Sequence, residues 1–422
     1  MIRRSIIGLL ALAGAVAAFA AAAAPDEGGI RVEAGENLQA AVDNAAAGAT
    51  VVLAAGNHAG PIKIDHSVTL AGEPGAILRG RGVGSVVTVT GDDVTIQGLT
   101  IEGSGRDVPS MDAAILAERP ASRLLVKDNH LAGNLFGVYL HGAVDSRVDG
   151  NLITGMVGLR LSDRGNGVSL WNAPGSIVAG NDIRDVRDGI FVNNSRKNRF
   201  LHNRFASLRF AIHYMYTHDS EIIANLSTGN DVGYAIMYSD HLRIEDNVSI
   251  GDRDHGLLLN YANRSVVSGN LVRDGGEKCL FIYNAHRNLI EANRFEGCSI
   301  GIHFTAGSER NTVAGNAFIR NRTQVKYVGT RLVEWSHEGS GNYWSDNPAF
   351  DLDGDGISDR PYQPNDLVDD ILWRHPSAKL LLNSPAIDLV RLVQSRFPAL
   401  YPGGVVDSAP LMTPPTQAAE AP

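Results

Sequence analysis

The sequence predicts an all-β chain: a right-handed parallel β-helix with an N-terminal helical cap and a mixed, partly helical C-terminal segment. Three observations predict it. Asn181, Asn203, Asn225 and Asn247 are 22 residues apart, and Asn270, Asn293 and Asn316 follow at steps of 23, a period that marks a stack of equivalent units. Each unit carries a seven-residue row such as GVYLHGA (137–143), GIFVNNS, AIHYMYT, GYAIMYS or GLLLNYA, apolar at alternate positions as a half-buried strand requires. Glycine and asparagine stand at the corners with β-branched and aromatic residues between them. Leucine-rich repeats of similar length would need leucines at fixed offsets and a helix in every unit, and neither is present.

Residues 1–24 read as a secretory signal peptide. Arg3 and Arg4 precede an apolar run that ends in small residues before Pro25, with an A-x-A pattern near Ala22 to Ala24. A membrane anchor is the competing reading, because the run approaches the ~20 residues that span a bilayer. Cleavage predicts an exported, soluble mature chain.

ENLQAAVDNAAAG, residues 36–48, reads as an amphipathic helix whose Leu38, Ala41 and Val42 plug the N-terminal end of the coils, where strand edges would otherwise lie open. Less regular coils follow. Asn129 and Asn151 extend the series backwards by 22, and the 30-residue step to Asn181 carries an eight-residue insertion around LSDRGNGV. The asparagines are expected to stack as an internal ladder at a bend where backbone groups lose their sheet partners. The period is lost by Asn342, so the β-helix is assigned to 25–340 with its cap and about ten or more coils.

Composition excludes some functions. The net charge of −9 becomes −11 once Arg3 and Arg4 are removed, and no lysine or arginine run tracks phosphates, so nucleic acid is not an expected partner. Cys279 and Cys298 lie on successive repeats, several residues out of register. They are expected as buried thiols, with a disulfide the lesser alternative.

Within each row, positions two and four are apolar and point inward, so positions three and five point outward. Position three runs Tyr139, Ser169, Phe191, His213, Ala235, Leu258, Phe281, His303; position five runs His141, Trp171, Asn193, Met215, Met237, Asn260, Tyr283, Thr305. This face holds imidazole, thioether and aromatic groups and no carboxylate, unlike the paired acids of glycan-cleaving sites. Met215 and Met237 are expected side by side with His213 on the same side. That soft donor set suits copper, as Cu(I), better than calcium or magnesium; the alternative is a methionine-covered hydrophobic patch. His218, His241 and His255 lie at corners and read as solvated or capping histidines.

The segment 341–412 differs in composition. Asp351, Asp353, Asp355 and Asp359 take positions one, three, five and nine of a loop with Gly356 at six, like the first half of an EF-hand calcium loop. Tyr362 stands where a bidentate glutamate is needed, so the alternatives are a different calcium loop and a set of Asx turns. Ser384 and Pro385 then read as N-cap and first residue of a helix. Its Ile387, Leu389, Val390, Leu392 and Val393 form an apolar face that packs on the last coil or docks on a partner. Residues 413–422 have the composition of a disordered tail.

NYWSD, DLDGDGISDRPY, DDILWRHPSAKLLLNSPA and GVVDSAPLM, together with the signal peptide and the coils, resemble the NosD family, of the CASH parallel β-helix repeat group. The resemblance implies a non-enzymatic periplasmic accessory protein for maturation of nitrous oxide reductase in denitrification. It implies as partners the ABC-type ATPase NosF and permease NosY, the copper chaperone NosL and the reductase itself, with the chain peripheral to the inner membrane. Copper, sulfur or both would pass to the catalytic copper–sulfide centre. No family motif fixes the ligands. The rival reading is a secreted β-helix polysaccharide lyase or epimerase with a calcium loop.

Overall fold

The computed structural model describes residues 29–305, 307–329, 331–365, 367–381, 384–396 and 404–416. The expected signal peptide lies outside them, as does most of the expected tail. Three long parallel sheets wind through the chain, of 13, 12 and 13 strands. The first runs from Ile30–Val32 to Thr312–Ala314, the second from Ile62–Ile64 to Thr323–Val328, and the third from Gly56–Ala59 to Tyr343–Trp344. The second sheet contains the seven-residue rows and is called the row sheet below.

Inward positions of all three sheets merge into one apolar core. At one corner the asparagines form the expected ladder: Asn203 donates its Nδ2–H and backbone N–H to Oδ1 of Asn225, at 3.0 Å each, and Asn225 repeats this on Asn247. The amides of this ladder thus find the partners that a bend denies them. The ladder runs through Asn316 to Asn342, whose backbone N–H donates to Asp407 at 2.7 Å. Asp407 also accepts from the Trp344 indole at 2.8 Å. NYWSD and VVDSAP, joined by residues 65 apart in sequence, are therefore one closing device. Trp344 stacks on Phe318 at 4.4 Å and Tyr362 covers it at 4.9 Å, so aromatic rings cap the C-terminal end of the core.

The N-terminal cap is shorter than expected. Its helix spans Leu38–Asp43, with the Asn37 side chain accepting from the Ala40 N–H, and it buries Leu38 and Val42. The expected free thiols are corrected: Cys279 and Cys298 form a disulfide with Cα atoms 5.7 Å apart. Cys279 lies in a row strand and Cys298 at the corner leading to the next row. The bond therefore crosses between neighbouring coils on a diagonal, and lack of register was no obstacle to it.

At the C-terminus, Leu332–Glu334 pairs with Gly404–Val406. Helices span Leu367–Arg374 and Pro385–Arg396 and contact each other. Ser384 holds the N-cap position, where its carbonyl accepts from Ile387 and Asp388.

Candidate metal centre on the outer face of the row sheet

The row register places the outward side chains as alternation predicts. Phe191, His213 and Ala235 are Cα partners in successive strands, and so are Asn193, Met215 and Met237. Met215 and Met237 are half-buried neighbours, with His213 two residues from Met215 on the same face.

His213 is 8% exposed and wedged between Phe191 at 5.0 Å and Phe210 at 4.8 Å. Its Nδ1 lies 3.2 Å from Oδ2 of Asp188, which is fully buried. The outer face therefore does hold a carboxylate, against the sequence expectation. Asp188 sits one residue before its row. The next residue in the strand Asp188–Arg196 is Gly189, where a Cβ would come within 2.4 Å of the Phe205 ring and 2.5 Å of the Ala211 carbonyl, so this position faces the core. With Gly189 and Ile190 both facing the core, simple alternation fails here, and Asp188 joins positions three and five.

Arg209 completes the cluster. Its Nε and Nη2 donate to the two Asp188 oxygens at 2.8 and 2.6 Å, and its guanidinium lies 4.5 Å over the Phe210 ring. Burial would raise the Asp188 carboxyl, but hydrogen bonds from His213 and Arg209 and the Arg209 charge outweigh it and hold it below the usual carboxylate value. An ionised carboxylate only accepts, so the His213 Nδ1 donates. Nε2 is left as the nitrogen available to a ligand, the arrangement typical of metal-bound histidines.

The other histidines lie apart from this cluster. His218 Nδ1 accepts the Asp240 N–H at 3.1 Å, a capping role. His241 is exposed and 3.7 Å from Asp219. His255 packs on Phe281 at 5.4 Å, and burial lowers its pKa.

In the Asp loop, one oxygen from each of Asp351, Asp353 and Asp355 lies within 4.8 Å of the others. Asp359 is not among them; it accepts the Leu352 N–H at 2.8 Å. Asp351 accepts from Gly354 at 2.6 Å and Gly356 at 2.9 Å, which lowers its pKa, while Asp355 and Asp351 help to raise that of Asp353. In the last helix Ile387 is buried and Val390 half-buried, whereas Leu389, Leu392 and Val393 are exposed.

Sequence reasoning missed Asp188 as part of the site. It also missed three stacked tyrosines at row position six, Tyr216, Tyr238 and Tyr261. Their 22- and 23-residue spacing was the signal available.

A protein of Stutzerimonas stutzeri described as "Probable ABC transporter binding protein NosD" is 42% identical over 379 residues, covering 86% of this chain and 87% of that one. The chain belongs to the NosD family. A NosD protein of Pseudomonas aeruginosa with the same description is 44% identical over 373 residues, covering 85% of this chain and 87% of its own. Residues 144–349 match the family model described as "Periplasmic copper-binding protein (NosD)", a span that includes the His213 cluster. Among solved structures, the Streptococcus pneumoniae adhesin PfbA superposes with TM-score 0.58 at 9% identity, over 71% of this chain and 100% of its own. The A-module of the Azotobacter vinelandii mannuronan C-5 epimerase AlgE6 gives 0.50 at 14%, over 69% and 91%. At such identities the likeness is one of fold, shared between an adhesin and an enzyme.

Proposed function

We propose that this NosD-family chain is a periplasmic copper-handling scaffold, not an enzyme, which carries Cu(I) on His213, Met215 and Met237 during maturation of nitrous oxide reductase. The observation that carries the reading is the contact of His213 Nδ1 with Asp188, which leaves Nε2 as the ligand nitrogen on the face where Met215 and Met237 are neighbours. Imidazole and thioether are donors that hold Cu(I) and release it by ligand exchange. The copper-binding description of the family model supports the metal, and the relatives' description as ABC transporter binding proteins supports docking on a transporter.

In this reading copper is cargo. It arrives from NosL, the chain sits on NosF and NosY at the inner membrane, and copper, sulfur or both pass to the reductase. The exposed Leu389, Leu392 and Val393 serve as the transporter-docking face, with Ile387 and Val390 anchoring the helix. Asp351, Asp353 and Asp355, with Asp359 bracing the loop, hold calcium as a structural ion.

The purified mature chain should take one equivalent of Cu(I) in competition with a chromophoric chelator, and His213→Ala or Met215→Ala with Met237→Leu should abolish that uptake. A host lacking the protein should export reductase that keeps its electron-transfer copper but lacks the catalytic centre. Fully loaded reductase from the deletion strain sinks the proposal and favours a glycan-acting role.

A further inference from the structure

Among the described residues, the corner that closes a row has a left-handed backbone at position six, from Gly142 to Asn284. Asn172 and Asn194 occupy it at φ 48° and 53°, then Tyr216, Tyr238 and Tyr261 at φ 50°, 49° and 52°. Asparagine tolerates this conformation, while a bulky aromatic there is strained and marks a position worth a functional explanation. The tyrosines are 49%, 39% and 40% exposed and stack on one another at 5.1 Å, with ring planes 17° and 9° apart. Stacking consumes the faces within the ladder. Tyr216 is the end member, and among the described residues no ring covers its second face.

That face borders a cavity of about 490 Å³ whose walls include Asn172, Pro174, Asn194, Arg196 and His218, with Ser195 beneath, within the size range of small-molecule sites. Its polar groups are mostly donors. Arg196 makes no ion pair among the described residues, and no carboxylate lines the cavity. His218 accepts a backbone N–H at Nδ1, so its Nε2 carries a proton. Ser195 lies beneath the cavity floor, 6% exposed, with its hydroxyl oxygen closed to solvent.

We propose that this cavity binds a sugar acid: a pyranose ring bearing a carboxylate. Tyr216 offers one rigid aromatic face to the C–H side of the ring, and the Asn172 and Asn194 amides meet hydroxyl groups at its rim. Arg196 takes the carboxylate. The site uses none of the residues assigned to copper, so the two readings stand or fall separately.

The test is calorimetric titration of the full mature chain with D-glucuronate, D-glucose and acetate. Glucuronate should bind in about the millimolar range, with glucose and acetate about tenfold weaker or more, the loss expected for a missing charge-assisted hydrogen bond or ring contact. Arg196→Gln should reduce glucuronate to the level of glucose. Tyr216→Asn restores the residue type of the two preceding coils, so it should fold with an unchanged or higher melting temperature yet weaken glucuronate about tenfold. No binding of glucuronate at about 50 mM overturns the proposal, a concentration far above millimolar affinity. So does acetate or glucose binding as tightly as glucuronate, since the first would mean an anion site only and the second would remove Arg196 as the anchor.

Discussion

Two regions of the molecule gather carboxylates and treat them in opposite ways. On the row sheet Asp188 is fully buried, yet its pKa is held down, because Arg209 and His213 donate to it. In the loop 351–359 three carboxylates converge near the surface with no cation paired to them among the described residues. The first arrangement spends the negative charge inside the protein and converts it into orientation of an imidazole. The second leaves the charge for something from solution. Asp252 is an internal control. It is buried in the coils like Asp188 and accepts from Ser227, Ser249 and the Asn230 N–H, but burial raises its pKa to about 6. Neutral hydrogen bonds do not replace a guanidinium.

Removing Asp188 should have the largest effect. Asp188→Ala strands Arg209 and His213 beside an apolar gap, and breaking a buried pair costs about 3–5 kcal/mol. It should also lower Cu(I) affinity by about 10–100-fold, as loss of a partner behind a metal-bound imidazole does. Asp188→Asn keeps the shape and should lose less stability while still losing copper affinity, because its amide no longer fixes the proton on Nδ1. Urea unfolding alongside chelator competition measures both quantities. Equal copper affinity in wild type and Asp188→Asn would show that the acid serves stability alone. Since the Asp188 pKa is depressed, its stabilisation is complete above the usual carboxylate value and disappears as pH falls through its native value.

Asp252 should respond with the opposite sign. Its native pKa near 6 exceeds the unfolded value of about 4, so the folded chain binds the extra proton and stability rises as pH falls from 6 toward 4. Above pH 6 the buried charge costs roughly 2–3 kcal/mol. Asp252→Asn places the residue type of the preceding rung, Asn230, at the same corner. It should raise the urea midpoint at pH 7.5 and flatten the pH 4–6 slope; a lower midpoint at pH 7.5 would mean that the serines need the anion.

Much of this was legible in the sequence, for a physical reason. A coil repeats its environment every 22 or 23 residues, so one row fixes the inward and outward parity of all, and Met215 beside Met237 follows by counting. What could not be counted lies where the chain bends or closes. Asp188 precedes a glycine and an isoleucine that both face the core, which breaks parity. Tyr216, Tyr238 and Tyr261 sit at corners where parity assigns no direction. Cys279 and Cys298 meet on a diagonal. Asp407 ends the asparagine ladder from 65 residues away, a pairing that no local pattern encodes, although the motifs on both sides were distinctive enough to indicate the family.

The smallest effect is expected in the Asp loop, and it sharpens the comparison most cleanly because no buried packing is disturbed. Three carboxylates from residues spaced two apart can supply hard oxygen ligands, but the loop lacks a bidentate twelfth residue, and Asp359 is engaged with Leu352. Such a site belongs with weak calcium loops, with dissociation constants around 10⁻⁴–10⁻³ M. At about 1 mM calcium it should stabilise the chain by about 0.5–1.5 kcal/mol, read as a small rise in melting temperature that a chelator reverses. Asp353→Asn should remove the calcium response. It should also raise the melting temperature slightly in chelator, since it relieves the crowding that raises the Asp353 pKa. A calcium response that survives Asp353→Asn would place the ion elsewhere, and no response in wild type would leave the loop as a set of Asx turns closed on their own N–H groups. In either of those cases the contrast with Asp188 becomes one between a carboxylate that orients a side chain and carboxylates that shape a backbone.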